Sequence, residues 1–341
     1  MSILHDEIFQ QPAAIERTLQ TNQASIADLA RRIRERDIRY IVLAARGTSD
    51  NAAIYAKYLF QITGGLPVAL AAPSVHTLYE APVNYRDALV IGISQSGAGE
   101  DINEVVTQAR RSGALTAAIT NTADSALAGI AEIVLHCDAG VERAIAATKT
   151  YTTTLALIAG LTAAWTGNAE LSGHLPSIGA VAQRALEVEP QVAELARTLI
   201  HAERLLSVAR GLHLSTAVEA ALKLAETTTS PTQAFSAADL LHGPIASVAV
   251  RTPCLVFSPK GHTEAGAREL EEKLRARGAR VLRFTAEAPG QDDISLTDPG
   301  TELLSPLVDI LPAQLLAYHL TVARGLDPDN PRGLTKVTVT R

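Results

Sequence analysis

The chain has 341 residues, of which 47% are hydrophobic and only 4% aromatic, and its formal net charge is −6. This length fits two domains or one large α/β unit with an aliphatic core. The acidic balance argues against a nucleic-acid-binding protein, whose surface would be basic, and no basic run at either end favours attachment to a membrane surface.

The two cysteines, Cys137 and Cys254, lie in apolar, strand-like segments. This context favours buried free thiols over a disulfide or a metal site. The N-terminus lacks the basic and apolar segments of a signal peptide. The most apolar long window, residues 152–166, is shorter than the ~20 residues of a membrane span. We therefore expect a soluble, cytoplasmic protein.

Residues 6–36 have a helical pattern, and from residue 40 onwards strands and helices alternate. The predicted strands are 40–45, 67–71, 88–93, 115–120 and 132–136. The predicted helices are 50–62, 74–80, 100–112, 124–129 and 145–167. Such alternation predicts a parallel sheet with helices on both faces.

Residues 168–200 are expected to form a helical bridge, after which the pattern begins again. Strands are predicted at 204–208, 252–257 and 279–284, helices at 214–229, 264–277 and 308–324, and a polar loop at 287–298. The segment from Ile41 to Gly47 is similar to that from Leu205 to Gly211, so Gly211 repeats Gly47 after 164 residues. This spacing, close to half of the chain, favours duplication of one α/β unit.

Two predicted strands of the first half end in small polar residues: Gly47, Thr48 and Ser49 after one, and Ser94, Gln95 and Ser96 after the other. Because the carboxyl ends of parallel strands meet at one edge of a sheet, these residues should lie close together. Neither loop contains the lysine of a Walker loop, and no G-x-G-x-x-G motif follows a strand. One such loop could merely cap a helix. Two on one edge favour a phosphate-binding site.

Helix 214–229 places Glu219, Lys223 and Glu226 on one side, because residues three and four apart are neighbours on a helix. A carboxylate in such an apolar helix suits a general base, although a solvated row of ion pairs has the same spacing. His242, at the turn before Gly243 and Pro244, could be an acid–base or a structural residue. No pair of histidines has metal-ligand spacing near a carboxylate, so we predict no metal.

Taken together, the motifs resemble the isomerase half of glucosamine-6-phosphate synthase, which consists of two sugar-isomerase (SIS) domains. The resemblance covers nearly the whole chain and rests on residues 7–12, 46–49, 94–97, 147–149, 219–226, 241–244 and 331–336. It implies an α/β fold of two tandem SIS domains, each a parallel sheet between two layers of helices. It also implies a homodimer with the active site at or near the interface, a sugar-phosphate substrate and no cofactor.

The predicted division of the chain follows from this resemblance. It has an N-terminal helical segment at 1–36, SIS domain 1 at 37–168, a helical linker at 169–200, SIS domain 2 at 201–325 and an active-site tail at 326–341.

The resemblance further implies roles for single residues. The phosphate would be bound by Gly47, Thr48, Ser49, Ser94, Gln95 and Ser96. Glu226 would move a proton between C1 and C2 of the sugar, and His242 would open the sugar ring from across a dimer interface. Lys336 would be able to form a Schiff base with the open-chain ketose. Residues near the base or the substrate would be Glu219, Lys223, Ile145 and Thr335.

Two departures from the synthase pattern bear on function. The glutaminase half is absent from the sequence, which favours a glucosamine-6-phosphate deaminase/isomerase that releases fructose 6-phosphate and ammonia. In addition, Ala98 and Gly99 stand where the synthase has a glutamate and a threonine, so one hydroxyl is missing from the phosphate loop. The alternatives are a fructosamine-6-phosphate deglycase or another phosphosugar isomerase, and a non-catalytic phosphosugar-sensing regulator.

Overall fold

In a computed structural model, which describes residues 2–287, 290 and 292–336, the first half of the chain forms a five-stranded parallel sheet. The strands are β1 (Tyr40–Ala44), β2 (Val68–Leu70), β3 (Ala88–Ile93), β4 (Leu115–Thr120) and β5 (Ile133–His136). Their order in the sheet is β2-β1-β3-β4-β5. Every residue of β3 and β4 is buried, as expected for strands covered on both faces.

Three short helices precede this sheet where one helical region was predicted. They are α1 (Ile3–Phe9), α2 (Gln11–Thr21) and α3 (Gln23–Glu35). Asn22 separates α2 from α3, and its side chain donates to the carbonyl of His136 and accepts from the N–H of His136, both at 2.8 Å. This pairing fixes the α2–α3 junction beside β5.

The helices that follow match the predicted alternation. They are α4 (Thr48–Gly64), α5 (Ser74–Thr77), α6 (Glu100–Arg111), α7 (Ala126–Ile130) and α8 (Lys149–Thr166). The last of these begins four residues later than predicted and is buried over most of its length. The region predicted as a bridge contains α9 (Ala169–His174), α10 (Ile178–Ala185) and α11 (Glu189–Thr198).

The second half forms another five-stranded parallel sheet with the same order of strands. Its elements are β6 (Leu205–Ala209), α12 (Leu214–Thr228), β7 (Thr232–Ser236), α13 (Ala237–Leu241), β8 (Pro253–Ser258), α14 (Glu264–Ala276), β9 (Arg280–Thr285), β10 (Ile294–Ser295) and α15 (Ser305–Ala323). The order β10-β9-β8-β6-β7 is that of the first sheet read from its other edge. The predicted fold class, two tandem α/β domains, is confirmed, and the shared topology supports duplication.

Two strands of the second sheet were not predicted. Strand β7 is short and polar, and β10 has two residues and lies within the predicted polar loop. Neither strand has the apolar run that predicts a buried strand. Each forms by pairing with its neighbour in the sheet, β7 with β6 and β10 with β9.

The chain divides into two compact units that interleave along the sequence. The first-sheet unit comprises residues 13–142 and 149–176, and the second-sheet unit comprises the described residues of 2–12, 143–148 and 177–336. Within the described chain, one helix, residues 302–323, is long and apolar enough to cross a membrane. Since 83% of its apolar window is buried inside the protein, it resembles a core helix of a soluble protein.

Candidate active site

The predicted phosphate loops of the first-sheet unit begin side by side, because β1 and β3 are hydrogen-bonded neighbours with Ala44 opposite Gly92. The backbone of Gly47 has φ +54°, a conformation that favours glycine, and α4 begins at the next residue. The side chains of Thr48, Ser49, Ser94, Gln95 and Ser96 are all half-buried. Small polar groups and the N-terminal ends of α4 and α6 therefore belong to the same edge of the sheet.

The serines of the second loop bind the backbone of their own turn. Ser94 Oγ accepts the N–H of Gly97 at 3.1 Å, and Ser96 Oγ accepts the N–H of Ala98 at 3.3 Å. Gly97 itself has φ +61°. These bonds shape the turn, and a hydroxyl that accepts one hydrogen bond still has its own proton to donate to a ligand.

Arg46, which precedes the first loop, links the two loops through an ion pair. Its Nε lies 2.9 Å from Oδ2 of Asp101, which is buried in the first turn of α6, whereas the arginine side chain is 52% exposed. Burial raises the pKa of the nearby Asp50 carboxyl, and the charge of Arg46 partly offsets this shift. The half-exposed guanidinium of Arg46 thus places a positive charge beside two loops that contain no lysine.

In the second-sheet unit, α12 carries a charged cluster of Glu219, Lys223 and Glu226. The ammonium of Lys223 lies 2.6 Å from Glu226 Oε2 and 3.4 Å from Glu219 Oε1. Lys223 and Glu219 are 2% and 0% exposed, which rules out the solvated row of ion pairs, whereas Glu226 is 23% exposed. Of the two carboxylates, Glu226 is the one that a ligand can reach.

Lys336 lies at the end of the described tail, where it is half-buried, and Thr335 beside it is exposed. The ammonium of Lys336 donates to the carbonyl of Ala144 at 2.6 Å. Ala144 immediately precedes Ile145, which is half-buried, so the structure brings Lys336 and the segment around Ile145 together.

The N-terminal helix α1 contacts both the segment that supplies the acceptor carbonyl and the tail that carries Lys336. The buried carboxylate of Glu7 accepts the backbone N–H of Arg143 at 2.6 Å and that of Ala144 at 3.2 Å. Asp329, in the tail, accepts the backbone N–H groups of Ile3 and Leu4 at 2.9 and 2.8 Å. Neither carboxylate was among the predicted site residues.

His242 follows α13 as its C-cap and is exposed, at a turn where the next residue, Gly243, has φ +136°. Its backbone N–H donates to Ala238 at 3.2 Å, which closes the helix. Lys149 is the first residue of α8, and its ammonium donates to the Val141 carbonyl at 2.8 Å. Among the residues with described positions, no three His, Cys, Asp or Glu side chains are grouped to bind a metal ion.

Comparison with known proteins places these features in a family. The SIS domain model matches residues 36–164 and 198–324, which together are most of the chain. The chain belongs to the SIS domain family. Its two matched segments contain the two parallel sheets described above.

Among curated SIS proteins, the chain is similar to glutamine–fructose-6-phosphate aminotransferases (isomerizing). It is 37% identical over 340 residues to that of Methanothermobacter thermautotrophicus and 35% over 347 residues to that of Thermococcus kodakarensis. Each match covers 98% of this chain but 57% of the relative, so the chain spans less than two thirds of their length. The chain is homologous to their isomerase half, and the 341 residues contain no counterpart of the glutaminase half.

Solved structures of SIS proteins have the same fold. One from Silicibacter pomeroyi, whose description proposes a phosphosugar isomerase, has a TM-score of 0.91 at 32% identity and covers 96% of this chain and 100% of its own. The C-terminal domain of glucosamine-fructose-6-phosphate aminotransferase from Francisella tularensis has a TM-score of 0.87 at 25% identity, with 97% and 98% covered. Glucosamine-6-phosphate deaminase from Thermotoga maritima, at 22% identity and a TM-score of 0.80 with 99% and 100% covered, is similar in fold alone.

Three charged residues that contact the predicted site were not identified as site residues from the sequence. Asp101 lies two residues beyond the phosphate loop, Glu7 in the N-terminal motif and Asp329 in the polar tail. The motif at residues 7–12 was the available indication for Glu7, whereas Asp101 and Asp329 lie outside every motif named above.

Proposed function

We propose that this protein is a cytoplasmic, homodimeric enzyme that converts glucosamine 6-phosphate and water to fructose 6-phosphate and ammonia. The observation that carries the proposal is the buried cluster on α12, in which Lys223 lies between two carboxylates and only Glu226 is open to a ligand. A carboxylate oriented in this way suits a proton transfer between neighbouring carbons.

In this proposal the loops of the first-sheet unit bind the sugar phosphate. Hydroxyls from Thr48, Ser49, Ser94 and Ser96, with the Gln95 amide, can donate hydrogen bonds. The two helices that begin there add the partial positive charge of their N-termini. The half-exposed guanidinium of Arg46 supplies a full positive charge at the same edge.

The chemistry begins with ring opening, which we assign to His242. Its exposure fits a residue supplied to the site of a second copy of the chain. In the open-chain amino aldose, Glu226 takes the proton from C2 and a proton is returned to C1. The C2–H bond breaks and a C1–H bond forms, the C1 carbonyl becomes a hydroxyl, and the C2 amine becomes an imine. Water then hydrolyses the imine to the ketone and ammonia.

Lys336 would act at C2 of the sugar. Its amine can displace ammonia from the C2 imine, and water would then release the lysine and leave the ketone. Ile145 and Thr335, which flank the lysine contact, would line the substrate.

The test is ammonia release by the purified protein given glucosamine 6-phosphate. Because general acid–base groups typically contribute 10²- to 10⁴-fold, Glu226→Gln should lose about that much of kcat. The matched variant Glu272→Gln, on the exposed side of α14, should keep wild-type activity. Wild-type release no faster than that of Glu226→Gln would overturn the proposal.

A panel of substrates then distinguishes the proposed reaction from the alternative functions. Fructosamine 6-phosphates, and phosphosugars without an amino group, would be turned over by a deglycase or by another isomerase. Thermal stabilisation by a sugar phosphate without turnover of any panel member would instead identify a phosphosugar-binding regulator.

A further inference from the structure

The N-terminal helix α1 binds two segments that are distant in sequence and meet at Lys336. Glu7 binds the 143–144 segment, and the first residues of the helix bind Asp329 in the tail. All of these contacts lie within the second-sheet unit. Helix α1, Asp329 and Lys336 lie outside both SIS domain matches, which span residues 36–164 and 198–324, whereas Arg143 and Ala144 lie inside the first.

The first contact fixes the acceptor of the lysine. Both oxygens of Glu7 are used, one on Arg143 N–H at 2.6 Å and the other on Ala144 N–H at 3.2 Å. The side chain is 3% exposed, and hydrogen bonds to a buried charged group are stronger than those between neutral groups. The carbonyl of the same Ala144 accepts the hydrogen bond of Lys336. Rotation of this peptide segment would therefore move the lysine's partner.

The second contact fixes the tail that carries the lysine. Asp329 accepts hydrogen bonds from Ser2 Oγ at 2.7 Å and from the backbone N–H groups of Ile3 and Leu4. These N–H groups lie in the first turn of α1 and have no partner within the helix, so the carboxylate caps it. Lys336 follows seven residues after Asp329, beyond a turn at Pro331–Leu334.

We propose that α1 is a positioning element for Lys336, in which Glu7 orients the acceptor carbonyl and Asp329 anchors the tail. The catalytic part of this inference rests on the role proposed above for Lys336. A positioning residue acts through geometry, and a displacement of about 1 Å can cost up to about 10²-fold in rate.

The first experiment measures the position of Lys336 without any substrate. The folded protein is treated briefly with an amine-acetylating reagent, and mass spectrometry compares acetylation of Lys336 with that of exposed Lys260. The variants are Glu7→Gln and Asp329→Asn, and the control is Glu16→Gln, on the exposed side of α2. We expect acetylation of Lys336 to rise at least threefold relative to Lys260 in both variants and to stay unchanged in the control.

The second experiment measures turnover of glucosamine 6-phosphate below the unfolding temperature of each variant. Loss of positioning should lower kcat about tenfold or more and leave KM within about twofold, because the phosphate loops are untouched. A merely structural role for α1 would lower the unfolding temperature and leave the kinetics of the folded enzyme unchanged.

The outcomes separate the two proposals. Wild-type protection of Lys336 in both variants overturns the positioning role, whatever the activity. Lost protection in the variants, together with no ammonia release by the wild type, overturns the proposed reaction and leaves the positioning role supported.

Discussion

At the scale of single residues, two glycines of the loop after β3 have different physical roles. Gly97 has φ +61°, and a Cβ at this position would overlap Oγ and Cβ of Ser125. Gly99 has an ordinary φ of −63°, and a Cβ there would lie 3.3 Å from Asp101 Oδ1. The backbone therefore requires glycine at 97, whereas a small side chain at 99 needs only a shift of a few tenths of an ångström by Asp101. Under the proposed function, the absent hydroxyl at 99 would affect ligand binding rather than the fold.

Gly97→Ala and Gly99→Ala form a matched pair that tests this distinction. The left-handed conformation and the overlap with Ser125 should make Gly97→Ala less stable by about 2 kcal/mol or more. Gly99→Ala should change stability by less than about 1 kcal/mol. Denaturant unfolding measures both, and calorimetry with inorganic phosphate should show weaker binding by Gly97→Ala. Equal stability of the two variants would contradict the assignment.

The sequence located the residues of the charged cluster but not their burial. The spacing of Glu219, Lys223 and Glu226 predicts neighbours on a helix whether that face is solvated or covered. The structure decides between the two, because tertiary packing covers Lys223 and Glu219. Pairs such as Arg46 with Asp101, or the buried His213 with Asp309 at 2.8 Å, join residues far apart in the chain, and no local pattern indicates them.

At the scale of elements, α1 is also tied to α11 and α15 by a histidine–glutamate cluster. His5 Nε2 and His319 Nε2 lie 2.7 and 3.0 Å from the same oxygen of Glu189. Burial raises the pKa of Glu189, but the hydrogen bonds and charges of the two histidines outweigh it and hold the pKa below its ordinary value. Burial lowers the pKa of His319 more than Glu189 raises it.

Both shifts predict that acid weakens this cluster. The folded protein binds the His319 proton less tightly than the unfolded chain does, so stability is lost as the pH falls from about 6.5 towards the folded pKa. Glu189 stabilises the fold fully above about 4.5, and that contribution is lost as the pH falls through its lowered pKa. Thermal unfolding between pH 7.5 and 4 measures the combined loss.

His319→Gln isolates the histidine part of this effect. Its unfolding temperature should fall less than that of the wild type between pH 7.5 and 5. The exposed His201→Gln should follow the wild-type curve. Parallel curves for His319→Gln and the wild type would show that His319 does not contribute.

The elements themselves were largely predictable, because long apolar runs and helical periodicity mark β1, β3, β4 and the helices between them. The exceptions are elements whose structure depends on contacts with neighbouring elements. Strand β7 is polar and is added by pairing with β6. The helical region at 6–36 divides into three helices at Gln10 and Asn22, and the side chain of Asn22 pairs with His136 of β5.

At the scale of the whole molecule, the similarity of segments 41–47 and 205–211 predicts an internal repeat, and the structure has two sheets with the same strand order. Gly47 and Gly211, the repeated glycines, both have positive φ, +54° and +63°. The copies then differ: small hydroxyl residues follow in the first, and Leu212 and His213, both buried, follow in the second. The two copies thus share the positive φ of the loop glycine, while the small hydroxyl residues after it are found in the first copy.

The two cysteines report on the integrity of these two cores. Both are buried free thiols, as predicted, and burial raises the pKa of Cys137 to about 11 and that of Cys254 to about 12. Since the thiolate is the reactive form, a disulfide reagent at pH 8 should modify them at least 100-fold more slowly in native protein than in denaturant. Val250→Cys, at a site that is 73% exposed, gives the fast native control. Rapid native modification of either cysteine would contradict a closed core.

The position of α1 and the tail outside both matched segments has a practical consequence. A protein trimmed to residues 36–324 would retain both sheets, the phosphate loops and Glu226, yet it would lack Glu7, Asp329 and Lys336. A purification tag fused before Ser2 would adjoin the hydroxyl and the N–H groups that bind Asp329. Domain borders chosen from family alignments would thus remove the groups on which the proposed positioning of Lys336 depends, together with buried core residues such as Ile15 and Leu29.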